Sequence, residues 1–176
     1  METPIDHLLP EIYDQLKGLA RLHRSRIFAK KGLGTRSIVH EAYLKIQHSN
    51  AANIADQQQF LYLASTAMRS VLVDNARHWA RDKRGGQLQD LSLDQVELTS
   101  AKRGDELIEL DKALLDLSKD NERLSNVVTC RFFGGLSLDE TAAALDISRA
   151  TVKRDWILAR TLLYQALNSS DESRPA

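Results

Sequence analysis

The sequence predicts an all-α fold of two small helical domains joined by a flexible linker. Apolar residues recur three and four positions apart through most of the 176 residues, a spacing typical of amphipathic helices. No stretch shows sustained strand alternation between turn signals, and residues 85–104 contain Gly-Gly without a helical stripe. We therefore expect domains at 1–84 and 105–170, a linker at 85–104 and a disordered tail at 171–176.

Three helices are predicted in the first domain. The first covers 8–28 and ends where a run of lysine and glycine breaks the pattern at 30–34. The second runs to about Gln47 with Thr35 or Ser37 as its N-cap, because hydroxyl side chains accept hydrogen bonds from the first N–H groups of a helix. The third is long and covers 57–84, after a small and polar loop at 48–56.

Four further helices are predicted at 105–117, 122–133, 138–145 and 148–167. The last two form a helix-turn-helix, since the apolar pattern breaks at 146–148 and Ser148 is a good N-cap for the second helix. The apolar stripes of this pair are Leu138, Thr141, Ala142 and Leu145, followed by Val152, Trp156, Ala159 and Leu163.

The start of that second helix is basic. Helices of this kind place their N-terminal residues in the major groove of DNA, where Arg or Lys reading guanine is the commonest specific contact. The candidate base and phosphate contacts are Arg149, Thr151, Lys153 and Arg154. The same spacing also suits an αα-hairpin with a solvated charged face, so the pattern alone leaves both interpretations open.

Charge is balanced overall but unevenly distributed. The formal net charge is +0, yet residues 1–84 carry 13 basic and 8 acidic side chains, whereas 105–176 carry 9 basic and 13 acidic ones. Within the acidic half, 149–160 contains four basic residues against Asp155 alone. The neutral total therefore does not exclude nucleic-acid binding, because the distribution of charge matters more than its sum.

Enzyme, metal and membrane classes find little support in the sequence. His40-Glu41 begins like a zinc-protease motif, but Leu44 stands where the second histidine is required. Phosphate-binding loops, nucleophile elbows and paired Cys/His spacings are absent, and Cys130 is the only cysteine. We expect no catalytic residue, no metal and no cofactor.

Neither a span of about 20 apolar residues nor a signal peptide is visible, so we expect a cytoplasmic protein without membrane contact.

Three segments, taken in order, resemble the ECF (extracytoplasmic function) sigma factors of bacterial RNA polymerase. Residues 37–46 resemble the family's helix D-L-V-Q-E-T-F-L-R-L, which docks on the clamp helices of the polymerase β′ subunit. Residues 60–84 resemble the long −10 segment, and 132–153 resemble F-F-x-G-L-S-x-x-E-I-A followed by I-S-x-x-T-V-K. The resemblance implies sigma domain 2 at 1–84 and a helix-turn-helix sigma domain 4 at 105–170. It also implies two partners, core RNA polymerase (β′ clamp helices and β flap) and promoter DNA.

The resemblance assigns the −10 element to the third helix. In the family a loop captures a flipped base, and by alignment on Phe60 and Asp74 that loop lies near Met68. Basic residues further along would contact the DNA backbone, which supplies affinity without sequence information. The −10 candidates are Met68, Arg69, Ser70, Arg77, Arg81, Lys83 and Arg84. Trp79 lies in the same helix and suits stacking on an exposed base. Both Met68 and Trp79 also suit a helix core, and that alternative stays open.

The polymerase-docking segment departs from the family at its start. Most members place acids there, roughly D-A-E-D-L-V, whereas 34–37 reads Gly-Thr-Arg-Ser, so the usual acids of region 2.2 are missing. The polymerase candidates are Arg36, Ile38, His40, Glu41, Tyr43 and Leu44. Either polymerase contact rests on Glu41 and the apolar residues, or a phosphate on Thr35 or Ser37 restores negative charge at a helix N-terminus that favours it. The alternative is that both hydroxyls are merely helix caps. The implied regulator is a Ser/Thr protein kinase or an anti-sigma factor.

Two other functions compete with a sigma factor. A helix-turn-helix transcriptional regulator would use residues 1–84 as a dimerisation or sensor module. Such a module does not need a basic helix, so the basic helix at 57–84 favours the sigma factor. An adaptor or anti-sigma protein would make no DNA contact and would leave 149–160 unexplained. Asp155 would repel phosphate, so we expect it either to pair with a neighbouring arginine or to face away from DNA.

Overall fold

The computed structural model describes residues 4–27, 34–49, 57–85 and 95–172, which form seven α-helices and no strand. The all-α prediction is therefore confirmed. The helices are α1 (Pro4–Ile27), α2 (Thr35–His48), α3 (Gln57–Gly85), α4 (Gln95–Asp120), α5 (Glu122–Val128), α6 (Leu138–Leu145) and α7 (Arg149–Glu172). Over these described ranges, no helix is both long and apolar enough to cross a membrane.

Most boundaries lie close to those predicted, because the apolar periodicity and its interruptions determine them. Helix α5 continues into a π-helical turn, Thr129–Phe133, in which the Gly134 N–H donates to the Thr129 carbonyl at 3.0 Å. Helix α1 starts earlier than predicted, at Pro4, a residue favoured in the first turn of helices. Helix α7 extends two residues into the predicted tail, and 173–176 lie outside the described residues.

The predicted linker at 85–104 differs from the structure, because residues 95–104 form the first part of α4. The linker was predicted from the absence of an apolar stripe, but helix propensity does not require one, and Glu97, Leu98 and Ala101 are all good helix formers. Gly104 lies inside the helix instead of ending it, and a Cβ added there would lie 4.0 Å from the Ala76 Cβ on α3. Residues 86–94 lie outside the described part of the chain.

The chain divides into two compact units. Unit 1 combines Met1–Ala55 with Ala67–Ile108, and unit 2 combines Asp56–Thr66 with Glu109–Ala176. This division differs from the predicted domain boundaries, since the first ten residues of α3 belong with the C-terminal helices. The assignment of separate promoter functions to two domains remains a prediction.

The core of unit 1 is formed by the inner faces of its helices. Four buried residues of α2 follow the predicted helical spacing, and Met68 and Leu72 of α3 are fully buried. The buried apolar residues of this unit include Leu16, Ala20, Ile38, Val39, Ala42, Ile46, Met68, Val71, Leu72, Val73, Ala76 and Leu107. Aliphatic and small side chains dominate this core.

The core of unit 2 includes a close approach between α3 and the turn that follows α5. Ser65 of α3 is fully buried and hydrogen-bonds with the thiol of Cys130, and a Cβ added to Gly134 would overlap the Ser65 hydroxyl. The backbone of Gly134 is right-handed, so conformation does not require glycine there, whereas Gly135 has φ of 61°. Gly134 is therefore required by the proximity of Ser65.

Close packing at Gly134 predicts an asymmetry between two glycines. Gly134→Ala should lower the free energy of unfolding by about 1–3 kcal/mol, because the added methyl group displaces Ser65. Gly104→Ala, the matched control, should raise it by about 0.5–1 kcal/mol, because its methyl group fits and it removes a helix-interior glycine. Urea unfolding followed by circular dichroism measures both. Equal effects of the two substitutions would contradict the close approach.

The buried thiol predicts a loss of stability at alkaline pH. Burial raises the pKa of the Cys130 thiol from 9.0 to about 12, and the hydrogen bond with Ser65 opposes that rise only in part. Between pH 9 and 12 the folded chain keeps this proton and the unfolded chain loses it, so stability falls as pH rises, by up to about 1.4 kcal/mol per pH unit. The free energy of unfolding of Cys130→Ala, measured over the same pH range, should fall less steeply. Parallel curves for parent and variant would contradict the raised pKa.

Candidate nucleic-acid interface

The helix pair α6–α7, predicted as a helix-turn-helix, is held by three local structures. Ser137 and Glu140 form a capping box at the start of α6. The Ser137 hydroxyl accepts a hydrogen bond from the Glu140 N–H at 3.1 Å. In return, the Ser137 N–H donates to the Glu140 carboxylate at 2.7 Å. Asp146 ends α6 with φ of 52°, a left-handed conformation that Asp tolerates better than most residues. Ser148 accepts from the Thr151 N–H at 3.1 Å, so its predicted role as N-cap of α7 is confirmed.

The four −35 candidates lie on the first two turns of α7. Lys153 and Arg154 are exposed, and Thr151 is half-buried with its hydroxyl 2.8 Å from that of Ser148. Arg149 is exposed and forms an ion pair of 3.4 Å with Asp139 of α6, which is also exposed. The structure therefore brings these residues together at one end of one helix, with three basic side chains open to solvent.

The opposite face of α7 packs into unit 2. Val152, Ala159 and Leu163 of the predicted stripe are buried, which confirms the orientation that the apolar spacing predicted. Trp156, the fourth member, is only half-buried. The guanidinium carbons of Arg131 and Arg160 lie 5.4 and 5.7 Å from the centre of its ring, distances that allow cation–π attraction.

Asp155 is turned into the protein and paired. Its carboxylate accepts from Arg123 of α5 through Nε at 2.6 Å and Nη2 at 3.3 Å. The Asp155 side chain is 4% exposed, whereas that of Arg123 is 50% exposed. Asp155 therefore pairs with an arginine, which is one of the two arrangements expected for it. The partner comes from another helix, 32 residues earlier in the chain.

The −10 candidates are distributed along α3. Met68 is fully buried, so in this structure its side chain belongs to the core and cannot line a surface pocket. Arg69 and Ser70 are half-buried, Arg77 and Arg81 are exposed, and Trp79 is half-buried. The side chains of Lys83 and Arg84 lie outside the described residues.

Asp74 connects several of these side chains in unit 1. Its carboxylate accepts from Lys45 of α2 at 3.0 Å and from the Ser70 hydroxyl at 3.4 Å, and it lies 4.0 Å from Arg77. All of these contacts are at least partly exposed, and such pairs contribute about 0–1 kcal/mol each to stability. Asp74 therefore orders side chains at this surface more than it stabilises the fold.

The polymerase candidates on α2 divide between surface and core. Arg36, His40 and Leu44 are exposed, and Glu41 is half-buried. Tyr43 is half-buried and its hydroxyl accepts from Gln47 at 2.7 Å. Ile38 is buried, so the structure removes it from the surface that a partner could touch.

The predicted capping role of Thr35 or Ser37 is wrong. Helix α2 begins at Thr35, so the N-cap position falls on Gly34, and no side chain caps the helix. The reason is that the helix starts at the first residue after the glycine, which places both hydroxyls inside the first turn. That turn contains no acidic residue, and Thr35 and Ser37 are both partly exposed.

Two features of this interface were not predicted. The capping box of Ser137 and Glu140 has a sequence signature, S-x-x-E before an apolar run, which could have identified it. The partner of Asp155 has no such signature, because Arg123 is distant in sequence and only the packing of α5 on α7 brings it close.

Comparison with known proteins gives one match. No curated protein and no solved structure is significantly similar to the chain. A family model described as "ECF sigma factor" matches residues 2–169, which is nearly the whole sequence and includes α2, α3 and α6. The chain therefore belongs to the ECF sigma factor family.

Proposed function

We propose that this alternative sigma factor recognises the −35 promoter element through α7 and the −10 element through α3 when it is bound to core RNA polymerase. Family membership makes transcription initiation its role and makes RNA polymerase and promoter DNA its partners. The observation that carries the finer proposal is the basic N-terminal end of α7, exposed on a capped helix-turn-helix. We place this activity in the cytoplasm, where RNA polymerase works.

Contacts at the −35 element would come from the first two turns of α7. Lys153 and Arg154 point to solvent, and Arg149 reaches solvent beside Asp139. Arginine and lysine at this end of a recognition helix suit guanine edges and phosphates in the major groove. Asp155 does not oppose this binding, since its charge is buried against Arg123.

Contacts at the −10 element would come from the exposed basic residues of α3. Arg77 and Arg81 are exposed about one turn apart, and Arg69 is partly exposed two turns before Arg77. They would hold the phosphates of the melted strand, and binding to single-stranded DNA would supply the free energy of melting without any reacting group. The burial of Met68 leaves no support for its use as a base-pocket residue.

Two surfaces would contact the polymerase. The exposed residues of α2, among them Arg36, His40 and Leu44, would meet the β′ clamp helices. A groove of about 700 Å³ in unit 2, lined by Phe132, Ile157 and other apolar residues, would receive the β flap. Ile157 and Tyr164 line this groove and are 58% and 70% exposed, and neighbouring exposed apolar side chains of this kind are typical of protein interaction surfaces.

Phosphorylation of Thr35 or Ser37 is the proposed control. Both hydroxyls lie in the first turn of α2, where backbone N–H groups and the helix dipole favour negative charge. A phosphate there would add about −1.5 to −2 charges beside Arg36 and restore the acidity that the family usually carries. A Ser/Thr protein kinase is the regulator that this proposal requires, and an anti-sigma factor is the alternative.

The −35 role predicts a local loss from one substitution. With purified core polymerase and a promoter template, Arg154→Ala should weaken binding at the −35 element about fivefold or more. The slope of log affinity against log salt concentration should become less steep by about one, because one phosphate contact, and the counterion it releases, is lost. Lys119→Ala removes an exposed basic residue of α4 and serves as the control that should leave binding unchanged. Unchanged −35 binding by Arg154→Ala would remove that residue from the site. Absence of transcription by the parent chain would contradict the sigma-factor role itself.

The control proposal predicts that added negative charge activates the protein. Thr35→Glu or Ser37→Glu should raise the affinity for core polymerase about two- to fivefold, because a carboxylate supplies part of the charge of a phosphate. Ser49→Glu places the same charge at the C-terminal end of α2, where the dipole disfavours it, and should bring no gain. Polymerase affinity and transcription in vitro measure the effect.

The same proposal is tested in cells by removing both hydroxyls. The double variant Thr35→Ala with Ser37→Ala should lose transcription there while its fold stays intact, because neither hydroxyl caps α2. Intact polymerase binding and transcription in the double variant would reject the switch and leave an anti-sigma factor as the expected regulator.

A further inference from the structure

We infer that the Arg123–Asp155 ion pair is a positioning element, which fixes the rotation of α7 and so determines the −35 bases that its basic residues read. This inference rests on the proposed −35 role of α7. Asp155 is nearly fully buried within the segment that carries the DNA-reading candidates, next to Arg154, which is exposed. Successive residues of an α-helix point about 100° apart, so holding Asp155 inward sets the directions of Lys153 and Arg154.

The geometry of the pair suits this task. Two nitrogens of one guanidinium contact the two oxygens of one carboxylate, at 2.6 and 3.3 Å. A bidentate pair of two planar groups restricts orientation much more than a single hydrogen bond or an apolar contact. Arg123 lies in the first turn of α5, two residues after the N-cap Asn121, so the donor is itself held near a fixed helix end.

A second contact supports the same turn of α7. Trp156 follows Asp155 and is contacted by Arg131, from the π-helical turn that continues α5. The Arg131 guanidinium also donates to the Leu136 carbonyl, which ties it to the segment before α6. Arg123 and Arg131, from the two ends of one continuous helical segment, thus contact the adjacent α7 residues Asp155 and Trp156. Because the two arginines are separated, together they resist both rotation and sliding of α7.

An ion pair at this place is explained better by orientation than by stability. Pairs with a buried charge often contribute no more to stability than apolar residues of similar volume, because removing a charge such as that of Asp155 from water is costly. The buried stripe of Val152, Ala159 and Leu163 sets which face of α7 packs inward, but apolar contacts are non-directional and restrict its rotation less closely than a bidentate pair does. The pair also hides a carboxylate that would otherwise face phosphate on a helix end with three exposed basic residues.

The test separates stability from sequence discrimination. Full-length chain and core RNA polymerase are used to select DNA from a pool of duplexes randomised over both promoter elements, and the retained DNA is sequenced. The variants are Arg123→Met with Asp155→Leu, which replaces the pair by apolar residues, and Arg123→Met alone. The control is Lys119→Met with Asp116→Leu, which removes an exposed pair from the same unit. Thermal unfolding is measured for each protein.

The inference predicts three results. Arg123→Met alone lowers the midpoint of thermal unfolding, because it leaves a buried carboxylate unpaired. The double variant recovers the midpoint of thermal unfolding. Its preference among −35 bases falls by about fivefold or more, which is the loss of affinity that one mismatched base pair typically causes. Its preference among −10 bases is unchanged. The control keeps both preferences. If the double variant does not fold, Asp155→Asn is used instead and should show the same selective loss.

Other outcomes contradict specific claims. A folded double variant, or a folded Asp155→Asn, that keeps the parental −35 preference overturns the positioning role alone. An equal loss at −35 and −10 also overturns it, because a defect of that kind reflects general destabilisation. A parent chain that selects DNA without any −35 preference overturns the proposed role of α7, and the positioning role falls with it.

Discussion

Burial of the Asp155 carboxylate against Arg123 is the interaction on which the proposed orientation of α7 depends most. It holds α7 on α5 at the point where the exposed surface of α7 is basic. Val152, Ala159 and Leu163 provide the apolar area that stabilises this packing, while the ion pair and the neighbouring Trp156 specify its orientation. An acidic residue is therefore compatible with the DNA contact proposed for α7, because its charge is neutralised inside the protein.

The exposed surface of α7 changes character along its length. Lys153 and Arg154 are followed, from Ile157 onwards, by large apolar residues that remain open to solvent. A basic start and an apolar continuation suit two partners of different chemistry, with DNA at one end and protein at the other. Within unit 1, Asp74 has the corresponding ordering role, since it joins Lys45 of α2 to side chains of the basic helix α3.

The sequence was sufficient for the all-α class, for most helix positions and for the buried face of α7. Periodicity and caps act locally, so the bounds of α6, the N-cap Ser148 and the buried face of α7 could be predicted. The start of α4 could not be predicted from an apolar stripe, because its first turns rely on helix propensity. The caps proposed for α2 were wrong by only a few residues, yet this changed the position of both hydroxyls from cap to first turn.

Contacts between distant segments were beyond the sequence pattern. Nothing in the spacing pairs Arg123 with Asp155 or places Ser65 against Gly134, since both depend on how helices cross. Burial also removed Ile38 and Met68 from the surfaces proposed for them, because apolar residues at such positions serve equally well in a core.

The division of α7 between DNA and polymerase is the central claim, and site-specific cross-linking tests it most directly. Cysteines introduced as Arg154→Cys and Tyr164→Cys lie about 15 Å apart along the helix, and the native Cys130 is buried, so a photoreactive reagent attaches selectively. In the promoter complex, position 154 should cross-link to −35 DNA and position 164 to the polymerase β subunit. Cross-links to DNA from position 164, with none from position 154, would contradict the account.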